Sequence, residues 1–119
     1  MSAPGNSLLD ATGNSLRGLA SGAGSERAVR YELALLVLSL PLGAVIAPSI
    51  GWYVAMIGVL VATLVVEFLN TAIEKLADRV TRERDAAIGR VKDLGSAAVF
   101  CMLCLSVLVW AGACAVRFL

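Results

Sequence analysis

Histidine is absent from this chain, and charged residues make up only 16% of its 119 positions. The missing imidazole removes the commonest general base, so acid–base chemistry must come from carboxylates, lysine, tyrosine or cysteine. A net charge of +1 gives no general attraction to nucleic acid, and we expect no nucleic-acid partner. Hydrophobic residues account for 59% of the chain, more apolar surface than a soluble domain of this size buries. A membrane is therefore the expected solvent.

The three cysteines, Cys101, Cys104 and Cys114, all lie in one apolar run. An odd number in such a run is not a disulfide framework, and we interpret these residues as small apolar side chains rather than as a redox motif. Residues 1–30 are polar and rich in glycine and serine, without the apolar core of a signal peptide. We expect the protein to enter the membrane through its own spanning helices.

Two long stretches without charge define the predicted architecture. The 34 residues between Glu32 and Glu67 and the 23 between Asp93 and Arg117 carry no charged side chain. One membrane span needs about 20 residues, and a turn signal at 48–51 divides the first stretch into a hairpin. We predict one domain over residues 1–119, an all-α membrane protein. Its transmembrane helices are expected at about 32–47, 52–71 with a cytoplasmic extension, and 94–116.

Basic residues orient the predicted spans. Three precede the first span, six lie between the second and third, none lies in the 48–51 turn, and Arg117 alone follows the third span. Because cytoplasmic segments carry the excess of lysine and arginine, we predict a cytoplasmic N-terminus and a cytoplasmic 75–92 loop. Residues 6–21 place leucines at roughly helical spacing between polar residues, which predicts an amphipathic helix on that membrane surface. Several glycines weaken this helix.

The second predicted span carries a polar face. Residues 67, 70, 71, 74 and 78 are polar and share one side of a helix, with Glu67 and Glu74 about 10 Å apart along it. A carboxylate beside hydrocarbon is costly and usually functional, although a packing hydrogen bond is an alternative for Glu67. We predict Glu67 as a general base for a lipid hydroxyl and Glu74 as a site for hydrated Mg²⁺ with nucleotide phosphates.

Two further clusters flank the spans. Residues 89–96 place Lys92 at the predicted start of the third span, where free amides and the helix dipole would help it to bind phosphate. No P-loop or kinase glycine-rich loop is present, and a basic segment flanking the membrane is the alternative. Residues 25–32 bring Glu26 and Arg30 toward the expected active surface, or simply form a helix start with an i,i+4 ion pair.

These clusters, in this order and membrane setting, resemble the bacterial diacylglycerol kinase family. The matching stretches are residues 15–19, 26–32, 67–74 and 92–98, and the run Glu-Phe-Leu-Asn-Thr-Ala-Ile-Glu from residue 67 is the most specific. The similarity covers nearly the whole chain from about residue 8. It implies a homotrimer in the bacterial inner membrane with active sites shared between subunits. It also implies transfer of the ATP γ-phosphate to diacylglycerol, which gives phosphatidic acid.

The resemblance implies roles at matching positions. By this resemblance, Glu67 occupies the position of the general base. Glu26 and Glu74 occupy the positions of the ligands that hold Mg²⁺ and thereby ATP. The implied ATP-binding set is Glu26, Asn70, Glu74, Lys92 and Asp93. The implied lipid-contacting set is Glu67, Ser96, Trp110 and Arg30.

Two positions depart from the family pattern. Ser7 stands where the family often has arginine, which puts a lipid headgroup contact in doubt, and Asn14 stands where it often has tyrosine. The second change removes a possible stacking partner for adenine, so we expect looser nucleotide binding rather than a dead enzyme. A trimer also has a physical motive, because three helices alone would leave Glu67 and Asn70 facing lipid.

Two alternatives stay open at this stage. Related family members phosphorylate undecaprenol with the same residues, and only the amphipathic N-terminal segment favours diacylglycerol. The other alternative is a small oligomeric ion or drug transporter with Glu67 as an intramembrane ion site. That function would leave no role for Lys92 and Asp93.

Overall fold

The computed structural model describes residues 7–119, and these residues form four α-helices and no strand. The helices are α1 Ser7–Ser25, α2 Arg27–Ile46, α3 Ile50–Val80 and α4 Ala86–Phe118. The last three are long and apolar enough to cross a membrane. This confirms the predicted all-α membrane fold with three spans, while the trimer stays a prediction.

The predicted amphipathic helix is present and longer than expected. It was predicted over 6–21; residue 6 lies outside the described residues, and α1 continues to Ser25. The glycines do not end it, and one of them, Gly22, is buried directly against the ring of Phe68 on α3. Glu26, in an extended conformation, separates α1 from α2. Leu8 and Leu9 of α1 are exposed, at 80% and 76%, as expected of a helix resting on a membrane surface.

A tight hairpin joins α2 and α3 over residues 47–49, slightly earlier than the predicted 48–51 turn. The side chain of Ser49 accepts a hydrogen bond from the amide of Trp52 at 3.3 Å and caps α3, so residues 50 and 51 are already helical. Gly43 lets α2 approach Tyr53, whose hydroxyl donates to the carbonyl of Leu40 at 3.0 Å. The joint is therefore held by a cap and a close contact.

Antiparallel packing of α3 on α4 forms the centre of the bundle. Near the hairpin end, the indole N–H of Trp110 donates to the carbonyl of Met56 at 3.1 Å. In the middle, the hydroxyls of Thr63 and Ser106 are 3.0 Å apart and both side chains are buried. Such interhelical hydrogen bonds contribute about 0.6 kcal/mol each within a membrane. They set the register that brings distant parts of the chain together at the charged end.

The helix that contains the predicted third span begins well before it, and this changes the environment of Lys92. The predicted span was 94–116, whereas α4 begins at Ala86, where the Asp85 carboxylate caps it by accepting from the amide of Ile88 at 3.0 Å. The amide of Gly89 already donates to the carbonyl of Asp85 at 2.9 Å, so Lys92 lies within the hydrogen-bonded part of α4. The prediction of free helix-terminal amides beside Lys92 is therefore wrong, because Asp85 caps α4 about two turns before Lys92.

Candidate active site

The polar face of α3 runs from a buried to an exposed end. Glu67 and Asn70 are each 8% exposed, whereas Glu74 is exposed. All three lie on one face because they are three and four residues apart on a helix. Glu67 and Asn70 are thus buried within a single chain, so the expectation that only a trimer would cover them is wrong. Neighbouring helices already cover this face of α3.

Asn70 is held at the crossing of α3 and α4. Its amide Nδ2 donates to Glu74 Oε1 at 3.3 Å. Its Oδ1 is buried and accepts no hydrogen bond from residues 7–119. The side chain lies directly against Gly95 of α4, where a Cβ atom would overlap it. A buried acceptor without a donor costs about 1–3 kcal/mol, so this position is an energetically costly one in the fold.

Glu26 reaches the same end of the bundle from the joint between α1 and α2. Its Oε1 lies 2.9 Å from Nζ of Lys75, the residue next to Glu74 on α3. The charges of Glu26 and Glu74 both act on Glu67. The two predicted metal ligands, 48 positions apart in the sequence, are therefore brought to one charged surface with the predicted base.

Glu32 belongs to this group, although sequence reasoning assigned it no role. Both of its carboxylate oxygens are buried without a hydrogen-bond donor among the described residues. Its charge and that of Glu67 act on each other across the α2–α3 contact. Its position at the border of a 34-residue uncharged stretch was the available signal, since a carboxylate there is costly.

Lys92 is paired with the extension of α3. Its Nζ lies 2.7 Å from Asp78 Oδ1, and it lines a cavity of about 460 Å³ together with residues of the 81–89 segment. Asp78 and Lys75 lie beyond the predicted span 52–71. The hydrogen bond from Lys92 lowers the pKa of Asp78, and the hydrogen bond to Glu26 raises the pKa of Lys75. Asp93, next to Lys92, is exposed.

The predicted lipid-contacting residues do not meet at one point. Ser96 is exposed one turn after Lys92, whereas Trp110 lies about 21 Å further along α4. The ring of Trp110 borders an apolar groove of about 170 Å³ with Leu35 and Leu60. Arg30 donates instead to the carbonyls of Ala23 and Gly24 at the end of α1, at 3.4 and 3.2 Å.

The two departures from the family pattern both fall on α1. Ser7 is its first residue. Asn14 accepts a hydrogen bond from the guanidinium of Arg17, so its side chain is engaged within the helix.

The donor set fits a hard divalent cation that keeps much of its water. Among residues 7–119 no group of three or more Asp, Glu, His or Cys side chains forms a metal cage. Glu26 and Glu74 supply carboxylate oxygens, and the ammonium of Lys75 on Glu26 shows that this position accepts a cation. Mg²⁺ typically uses one or two carboxylates together with water and phosphate oxygens.

A three-span helical membrane protein with carboxylates and lysines gathered at one end of its bundle is the class that this fold and site define. The sequence model of the family described as prokaryotic diacylglycerol kinase matches residues 13–114. The chain belongs to this family and is a kinase.

Relatives named diacylglycerol kinase support this membership. The Haemophilus influenzae protein is 37% identical over 105 residues, which cover 88% of this chain and 89% of the relative. The Pseudomonas aeruginosa protein is 39% identical, with 87% and 85% covered. The Escherichia coli K12 protein is 32% identical, with 87% and 84% covered.

Proposed function

We propose that this chain phosphorylates diacylglycerol with ATP and forms phosphatidic acid at the cytoplasmic face of the bacterial inner membrane. The observation that carries the proposal is the buried carboxylate of Glu67, next to Asn70 and Glu74, at the end of the bundle where the lysines gather. Family membership supplies the reaction class, and the names of the relatives supply the lipid.

The chemistry requires a base and a means of holding phosphate. Phosphoryl transfer depends on alignment and charge neutralisation more than on covalent catalysis. The lipid hydroxyl oxygen forms a bond to the γ-phosphorus, the bond from that phosphorus to the ADP oxygen breaks, and Glu67 accepts the hydroxyl proton. Lys92, which lines the cavity at the 81–89 segment, neutralises phosphate charge, and Asp93 contacts the nucleotide.

Glu26 and Glu74 are the proposed holders of Mg²⁺ and thereby of ATP. When bound there, Mg²⁺ would neutralise charge on the phosphate oxygens. Asn70 supports this arrangement through its hydrogen bond to Glu74. Two carboxylates leave room for phosphate and water in the coordination shell.

The lipid is proposed to reach the site from the membrane side. Ser96 lies close to Lys92 along α4, and the groove beside Trp110 offers apolar surface deeper in the bundle. Arg30, in the first turn of α2, is the remaining proposed contact. We further propose a homotrimer with sites completed between subunits, and a cytoplasmic N-terminus with α1 resting on the membrane surface.

The decisive experiment compares the wild type with Glu67→Gln in mixed micelles. We expect the wild type to consume ATP on addition of diacylglycerol, and the variant to lose about 10²-fold or more in turnover because it lacks a proton acceptor. Nucleotide affinity and thermal stability of the variant should stay close to wild type, since glutamine conserves the shape of the side chain.

Three other outcomes would contradict parts of this proposal. Near-normal turnover of the variant would refute Glu67 as the base. Preference for undecaprenol in a competition for radiolabelled phosphate would assign a different lipid. Absence of ATP consumption with either alcohol would leave the transporter hypothesis.

A further inference from the structure

The carboxylate proposed for Mg²⁺ on the α1–α2 joint already holds a cation supplied by the chain. Lys75 Nζ lies 2.9 Å from Glu26 Oε1. The same ammonium interacts with the charges of Glu74 and Asp78. One lysine therefore lies among three carboxylates, two of which are the proposed metal ligands.

The two partners of this ion pair differ in freedom. The Lys75 side chain is 64% exposed, whereas that of Glu26 is 27% exposed. The backbone of Glu26 is bonded on both sides, to the carbonyl of Gly22 at 2.9 Å and from the amide of Arg30 at 3.1 Å. The carboxylate is therefore positioned by the helix joint, while the long lysine arm can leave it without disturbing the fold.

A lysine ammonium is a compact monovalent charge on a flexible stem. A divalent ion cannot bind the same carboxylate oxygen while the ammonium stays there. Both cations would lie within a few ångströms of that oxygen and of each other, where they repel strongly. We propose that Lys75 is a built-in counter-ion of the metal site, which neutralises Glu26 in the resting enzyme and must be displaced before Mg²⁺ binds. This inference rests on the proposed function for the identity of the metal ligands.

The counter-ion has a consequence for the order of binding. It weakens the affinity of the two carboxylates for a free divalent cation. A cation arriving with a nucleotide brings phosphate oxygens, which offer the displaced ammonium a new negative partner. Lys75 therefore favours entry of the metal together with the nucleotide over entry of the metal alone.

The test measures Mn²⁺ binding to the purified full-length protein in detergent without nucleotide, from the electron paramagnetic resonance signal of free Mn²⁺. We expect Lys75→Gln to bind Mn²⁺ about two- to fivefold more tightly than wild type, the range set by an exposed ion pair. Lys75→Arg should stay near wild type because it keeps the charge. Arg79→Gln, which removes an exposed cation one turn further along α3, is the matched control and should also stay near wild type.

A double variant tests whether the effect acts through Glu26. In the Glu26→Gln background, Lys75→Gln should give no further gain. The inference is overturned by unchanged Mn²⁺ affinity of Lys75→Gln, by an equal gain in Arg79→Gln, or by a gain that persists without Glu26.

Parallel measurement of diacylglycerol-dependent ATP consumption separates this inference from the proposed function. A wild type that consumes ATP, with a Lys75→Gln variant of unchanged Mn²⁺ affinity, refutes the counter-ion alone. A wild type without lipid-dependent ATP consumption refutes the function, while the shift in Mn²⁺ affinity still decides the counter-ion.

Discussion

Replacing Gly95 with alanine tests whether the close approach of α4 to α3 positions the nucleotide site. Gly95 is buried, and a Cβ atom there would overlap Asn70 Oδ1 and lie 3.3 Å from its Cγ. Asn70 cannot stay where it is, so the added methyl group should push its amide away from Glu74. Neither residue is mutated, yet the hydrogen bond between them should be lost.

The magnitude follows from two separate effects. Inserting a methyl group into a packed helix crossing costs about 1–3 kcal/mol of stability. The hydrogen bond from Asn70 to Glu74 is half exposed to water, and its loss costs about 1 kcal/mol. If that bond orients Glu74 toward Mg²⁺, the KM for Mg–ATP rises about fivefold, while the KM for lipid changes less.

Steady-state kinetics with varied Mg–ATP and thermal unfolding in detergent measure the two effects. Gly89→Ala is the matched control, because it lies on the same helix and nothing lies within 4 Å of its added Cβ. That change should be neutral or slightly stabilising, since alanine is favoured over glycine in a helix by about 1 kcal/mol. In the Asn70→Ala background, Gly95→Ala should cost no further stability.

Two results would refute this reasoning. One is an unchanged melting temperature and KM in Gly95→Ala. The other is an additive loss of stability in the double variant, which would show that the methyl group clashes with something other than Asn70.

Two further predictions concern single carboxylates. Glu74→Gln keeps an acceptor for Asn70 but loses the charge. The KM for Mg–ATP should therefore rise about tenfold or more, with little change in melting temperature. An unchanged KM would contradict the role of Glu74 as a metal ligand. Glu32→Gln removes a buried carboxylate that has no hydrogen-bond donor among the described residues and lies near the charge of Glu67. The melting temperature of the variant should therefore rise. A lower melting temperature would show that a favourable partner stabilises the carboxylate of Glu32.

The membrane-spanning part of the fold was predictable because lipid imposes a local rule. Each span needs an uninterrupted apolar length, and that length is written in consecutive residues. The ends of the helices were harder to predict, because helices continue beyond hydrocarbon until a cap or an extended residue ends them. Ser49 and Asp85 set two starts, and Glu26 separates α1 from α2.

The candidate site was predictable where its residues share one helix. The spacing of Glu67, Asn70 and Glu74 needs only helical geometry. Lys92 was placed near a helix start that proved to lie upstream, because the span was judged from charge rather than from the cap at Asp85. Glu32 was overlooked because its burial depends on how α2 packs, which its neighbours in the sequence do not reveal.

The sequence by itself determined that this protein is a three-span helical membrane protein, that α3 carries a polar face, and which family the chain resembles. These properties depend on composition and on intervals of a few residues. The tertiary structure decided that Glu67 and Asn70 are buried within one chain, that Gly95 lies against Asn70, and that Lys75 and Lys92 hold acidic partners. Those facts required the packing of helices that lie far apart in the sequence, because burial and ion pairing are set by which faces meet and at what register.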